Sequence, residues 1–137
     1  MSCPDVMKKL QSLRFQRKTL ELKEINYLKN INIPSNIITF HEHLGIVDSI
    51  DINRIELLSI EKLKIENEEC IPGYLLFPLG YSIIASTIYG DVYCIERNCE
   101  LYDSKVFMAS HEEIYEGLSD NQINESIVKV CNSFLSF

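Results

Sequence analysis

The order of patterns along the chain predicts an α+β domain: a mostly antiparallel sheet of about four to six strands, with N-terminal helices and a C-terminal helix flanking it. Three observations carry this expectation. Apolar residues recur at helical spacing toward both ends of the chain. Between them lie short alternating or apolar runs separated by turn residues. Those runs are set so close together that antiparallel connection is the simplest way to join them. With 137 residues, of which 46% are apolar, the chain can bury one ordinary core, and a single domain over 1–137 is expected.

The first helix is expected after Ser2, a capping residue, with Pro4 and Asp5 in its first turn and Val6, Leu10 and Leu13 on one face. A second is expected over Lys18–Lys29, where Leu20, Ile25 and Leu28 form the apolar stripe and Leu22 and Tyr27 widen it. Pro34 breaks the pattern, since it biases Ile33 toward extended backbone. Ser35 can cap a short helix presenting Ile37, Ile38, Phe40 and Leu44, which Gly45 would end in the left-handed conformation.

From Ile46 to Asn67 the chain is rich in β-branched residues. Lys62-Leu63-Lys64-Ile65-Glu66 alternates polar and apolar and reads as a half-buried strand, while Ile55–Ile60 fits strand or helix. Pro72-Gly73 marks a turn. Strands are then expected at Tyr74–Phe77, Ser82–Thr87, Asp91–Glu96 and Lys105–Ala109, with Arg97-Asn98-Cys99-Glu100 as a hairpin turn. In Asp91–Glu96, Val92 and Cys94 should face one way and Tyr93 and Ile95 the other. Ser119 to Gln122 matches the capping-box pattern S-x-x-Q. Ile123, Ile127, Val130, Cys131 and Phe134 follow at helical spacing, so a C-terminal helix should lay an apolar face on the sheet.

Charge narrows the class of partner. The net charge is −7, but residues 1–30 sum to +4 and residues 96–125 to −6. Overall acidity disfavours nucleic acid, whose binding rests on Lys and Arg at phosphates. It favours a basic partner. No apolar run reaches the roughly 20 residues needed to cross a bilayer, so no membrane association is expected. No apolar segment follows Lys8, Lys9 and Arg14 as a signal peptide would require, which makes the cytoplasm the expected location. Five cysteines at irregular spacing (Cys3, Cys70, Cys94, Cys99 and Cys131) suit a reduced chain better than a disulfide framework. Cys94 and Cys131 read as small buried apolar residues. Cys94 and Cys99 flank a turn and could pair if oxidised.

The chemical candidates are few. His41 and His43 stand two apart, whereas metal-binding pairs on a helix stand three or four apart. His111-Glu112 lacks a second ligand pair and reads as a satisfied polar residue at a strand end. Neither Cys94, in an apolar strand, nor Cys99, beside Glu100, has a setting that would favour a thiolate. The sequence has no G-x-S-x-G, P-loop or G-x-G-x-x-G pattern. Gly90 supplies a permissive backbone between two strands, and Asp91 beside it can bond nearby N–H groups. No cofactor, metal or catalytic residue is expected.

Three segments carry a resemblance to a known family. Ile33-Pro34, with the apolar helix ending at Leu44-Gly45, resembles the "LP" element of the SUKH superfamily (Smi/Knr-like). Ile83–Glu96, IIASTIYGDVYCIE, looks like its strand–turn–strand with a Gly-Asp pair. Lys105–Glu112, KVFMASHE, is similar to its following strand and short polar stretch. Together they span about residues 33–113. The chain has a lone Gly45 where members often show an Asn-Gly or Gly-Gly pair, and it lacks the tryptophan that many members carry near the sheet.

The resemblance implies a SUKH-like α+β domain. It also implies a cytoplasmic immunity protein, not an enzyme, that binds and neutralises a cognate polymorphic toxin, often a nuclease. A basic toxin domain agrees with the acidity of the chain. Asp91, Glu96, Asp103, Glu112, Glu113 and Glu116 are the expected contact residues, projecting from one end of the sheet. A regulatory scaffold or adaptor binding a non-toxin protein is the alternative from another class. A small hydrolase or metal enzyme with an atypical site ranks last.

Overall fold

The computed structural model describes residues 4–97 and 104–137. Ser2, Cys3, the hairpin residues Asn98, Cys99 and Glu100, and the candidate Asp103 lie outside those residues. Cys94 itself is described, and it is a free thiol, so the pairing open to it and Cys99 is not formed.

Six strands form one sheet: β1 (Ile50–Ile52), β2 (Ile55–Leu57), β3 (Tyr81–Thr87), β4 (Val92–Glu96), β5 (Val106–Ala109) and β6 (Val128–Cys131). They lie side by side in sequence order, and every neighbouring pair is antiparallel. The α+β class and the antiparallel sheet are as the sequence predicts.

Helices cover both faces. On one side are α1 (Val6–Leu10), α2 (Leu22–Asn30) and α3 (Ser35–Leu44), which supply Val6, Leu10, Leu28, Ile37, Ile38 and Leu44 to a core shared with Tyr93, Ile95 and Val106. On the other are α4 (Ile60–Glu68), α5 (Gly73–Leu76) and α6 (Asp120–Ser126), whose Leu63, Leu76 and Ile123 pack with Val92, Cys94 and Ala109. The strand side chains thus divide as period-two alternation requires. Val92 and Cys94 go to one core, and Tyr93 and Ile95 to the other. A bulge in β3 interrupts the alternation, because the register against β4 shifts between Ile83 and Ala85. Ile84 is the added residue there.

Several elements differ from expectation, each for a local reason. Lys62–Glu66 is helical, not extended. The Ser59 hydroxyl accepts from Lys62 N at 3.4 Å, and Ile60, Leu63 and Asn67 recur at helical spacing on the buried face. The polar–apolar alternation arose because Ile65 faces outward, at 42% exposure. Tyr74–Phe77 is also helical, as α5 followed by a 3₁₀ turn at Phe77–Leu79. The C-terminal helix ends at Ser126, and the β-branched run after it becomes β6, pairing with the edge of β5. The Ser119–Gln122 capping box does form.

At the N-terminal end α1 is short, and Leu13 is 41% exposed instead of joining its face. The second helix begins at Leu22, because Glu21 and Glu24 make the capping box and Arg17 bridges to Ile46 in an extended pairing. Leu22 itself is exposed. Pro34, rather than Ser35, holds the N-cap position of α3, and Gly45 ends that helix at φ +51° as expected.

Candidate functional site

The site is one end of the sheet, where the β3–β4 turn meets the segment that follows β5. The pairing of Val92 with Ala109 brings the start of β4 and the end of β5 together. In the turn, Thr87 N donates to Asp91 O at 2.8 Å and Gly90 N donates to Thr87 O at 3.1 Å. Gly90 has φ +92°, a backbone that residues with a Cβ rarely adopt. With its backbone bonded inward, the turn leaves Ile88 and Tyr89 largely in solvent, at 65% and 63% exposure.

After β5 the chain folds back on Ser110. Glu113 N and Ile114 N both donate to Ser110 O, at 3.1 and 3.0 Å, and Glu112 N donates to the Ser110 hydroxyl at 3.3 Å. Ile114 is fully buried and pins the segment to the core beneath it. Its neighbours Glu112, Glu113, Tyr115 and Glu116 are exposed.

Asp91 joins the two segments. Its Oδ1 accepts from His111 N at 3.1 Å and from the His111 ring at Nδ1, 2.8 Å away. A carboxylate can only accept, so the ring donates through Nδ1. Burial raises the Asp91 pKa. The His111 ring and backbone bonds, with a further bond from Ser110, lower it more, and it lies below the usual carboxylate range. Asp91 and His111 thus behave as the sequence suggests, as a backbone-bonding carboxylate and a satisfied polar residue.

Four of the six expected contact residues meet here: Asp91, Glu112, Glu113 and Glu116. Glu96 does not. It closes β4 opposite Tyr81, at the far end of the strand, roughly 17 Å along the chain at the usual rise per residue. There Arg97 is held between Ile31 O and Phe77 O, with its guanidinium over the Phe77 ring. The strand expected over Asp91–Glu96 already sets its first and last residues at opposite ends, so Asp91 and Glu96 could not both lie at one end of the sheet. Asp103 lies outside the described residues.

The sequence reading missed Ile88, Tyr89 and Tyr115. The available signal was two large apolar residues in a turn next to Gly90-Asp91, where the chain has no core to reach.

The charge of the two segments themselves is one-sided. The sequence has no Lys or Arg between Lys64 and Arg97, and none between Lys105 and Lys129. The turn Asn53-Arg54 reaches the same end of the sheet from β1–β2, since Ile55 pairs with Thr87; Lys9 Nζ donates to Asn53 Oδ1 in that turn at 2.7 Å, and Lys129 pairs with Phe107 in the strand beside β5.

Elsewhere the reactive groups are disarmed or dispersed. Cys94 is fully buried, and burial pushes its thiol far above the ordinary range, so it remains protonated. Burial also raises the Cys70 thiol, with help from Glu66 and Glu69. Cys131 is disulfide-bonded, which corrects its reading as a reduced apolar residue, whereas Cys70 and Cys94 are free. His41 is buried and His43 exposed, so they point to different sides of α3. No group of three or more His, Cys, Asp or Glu among the described residues could hold a metal ion. A groove of about 350 Å³ between α2 and α4 is lined by Lys18, Glu21, Lys23, Glu24, Glu61 and Lys64, and its mixed charges favour neither sign of ligand. None of the described helices is long and apolar enough to cross a membrane.

No protein-family model matches the chain, and neither a curated protein nor a solved structure matches it.

Proposed function

We propose that this chain is a SUKH-type immunity protein that binds and neutralises a basic protein toxin, with the Asp91–Glu116 end of the sheet as its contact surface. The observation that carries the reading is the gathering of Asp91, Glu112, Glu113 and Glu116 on two segments tied together by Asp91 and His111. A nuclease toxin must be basic where it holds phosphate. Carboxylates on a preorganised tip draw such a surface in and occupy the groups that would otherwise bind substrate. Preorganisation matters because ordering loops at the moment of binding costs affinity. No bond is made or broken by the protein itself.

The test is co-expression with the product of the adjacent gene. A complex that co-purifies, weakens with salt and rescues cells from that product supports the reading. Reversing Glu112, Glu113 and Glu116 to Lys should abolish both complex and rescue. Absence of both in the unmodified protein contradicts the reading, and a complex with a non-toxin product points to an adaptor instead. Protection of the producing cell places the protein in the cytoplasm, where a disulfide such as that of Cys131 is uncommon. The redox state of Cys131 in the cell therefore belongs to the same test.

A further inference from the structure

The two acidic segments also expose their largest apolar side chains. Ile88, Tyr89 and Tyr115 are 65%, 63% and 55% exposed, on segments whose backbones are bonded inward. Tyrosine is the side chain that most economically anchors a protein interface. It offers a large rigid surface with few torsions to freeze and a hydroxyl that tolerates water. Carboxylates around such anchors contribute steering and specificity more than affinity.

We propose that Ile88, Tyr89 and Tyr115 are the affinity anchors of this end of the sheet, and that the partner is a protein surface with an apolar cleft ringed by Lys or Arg. This inference rests on the binding reading above and specifies its partner. Charge selects the occupant. A second copy presenting the same acidic end is repelled, as are nucleic acid and anionic lipid. A basic apolar protein surface satisfies both halves of the patch at once.

Two synthetic probes test it without the natural partner: a short lysine–leucine peptide, which carries charge and apolar groups, and an oligolysine of equal charge. At about 0.15 M salt, where exposed charge attraction is screened, the lysine–leucine peptide should bind at least about tenfold tighter. Its amide shift changes should centre on Ile88–Asp91 and His111–Gly117. Tyr89→Ser with Tyr115→Ser should remove that advantage and leave oligolysine binding unchanged, while the amide spectrum shows the variant folded. Equal affinity for the two peptides, or shifts centred on α4, would overturn the proposal. So would an advantage that survives the double substitution. Failure of the co-expression experiment alone would remove the toxin reading and leave this peptide result standing.

Discussion

Asp91 and His111 are bound to each other twice, once through the backbone N–H of His111 and once through its ring, both on the same carboxylate oxygen. The pair stands 20 residues apart in sequence and closes the gap between the β3–β4 turn and the segment after β5.

Replacing Asp91 by Ala should cost about 1 kcal/mol, the low end for a charge-assisted pair because both side chains are partly exposed. The folded Asp91 carboxyl lies below its ordinary range, so the contribution is complete above the unfolded value near 3.9 and fades as pH falls through the folded one. Paired thermal melts of the parent and Asp91→Ala should differ at pH 6 and converge in strong acid. A gap that persists in acid would place the contribution elsewhere.

Gly90→Ala should destabilise by about 1–2 kcal/mol, the cost of left-handed backbone for a residue with a Cβ. The new methyl would also meet the His111 ring, 3.3 Å from Cγ, so the Asp91–His111 contact should loosen with it. Urea unfolding gives the energy. Faster exchange of the His111 amide reports the contact, and no change in either would contradict this role.

Asn67 is buried and serves the bulge of β3. Its Oδ1 accepts from Ile83 N at 2.9 Å, and its Nδ2 donates to the Ser82 hydroxyl at 3.0 Å. Asn67→Leu keeps the branched outline of the side chain but orphans the Ile83 N–H, so it should cost about 1–3 kcal/mol. Ser82→Ala leaves that amide paired and should cost less in the same urea titration.

His41 is 3% exposed, and burial lowers its pKa from 6.5 to about 4. The folded state therefore holds it neutral while the unfolded chain takes up a proton below pH 6.5. Stability should fall as pH drops from 6.5 toward 4, by up to about 3 kcal/mol from this residue. His41→Leu should flatten that part of the profile. Urea midpoints at pH 7, 5.5 and 4.5 check it, and an unchanged slope in the variant would refute it.

What could be read from the sequence followed burial. Val92–Ile95 is apolar throughout because both faces of β4 are covered, and Gly45 and Ser119 announced helix boundaries through local chemistry alone. The failures came where tertiary context overruled local pattern. Ile65 faces water, so α4 looked like a strand. The need of β5 for an edge partner turned Val128–Cys131 into β6 although its apolar spacing continued a helix. The candidate site was half legible. Carboxylates near Gly90 and His111 were visible as composition, and the length of the strand from Asp91 to Glu96 was enough to separate Glu96 from the rest. Ile88, Tyr89 and Tyr115 went unread because an exposed apolar residue announces itself only once the core is known.

The most direct measurement is the amide-shift footprint of the protein bound to the product of its neighbouring gene. The account predicts a continuous footprint over Ile88–Asp91 and His111–Gly117, with Glu96 and the α2–α4 groove unaffected. A footprint confined to that groove, or to the Glu96 end of the sheet, would contradict it.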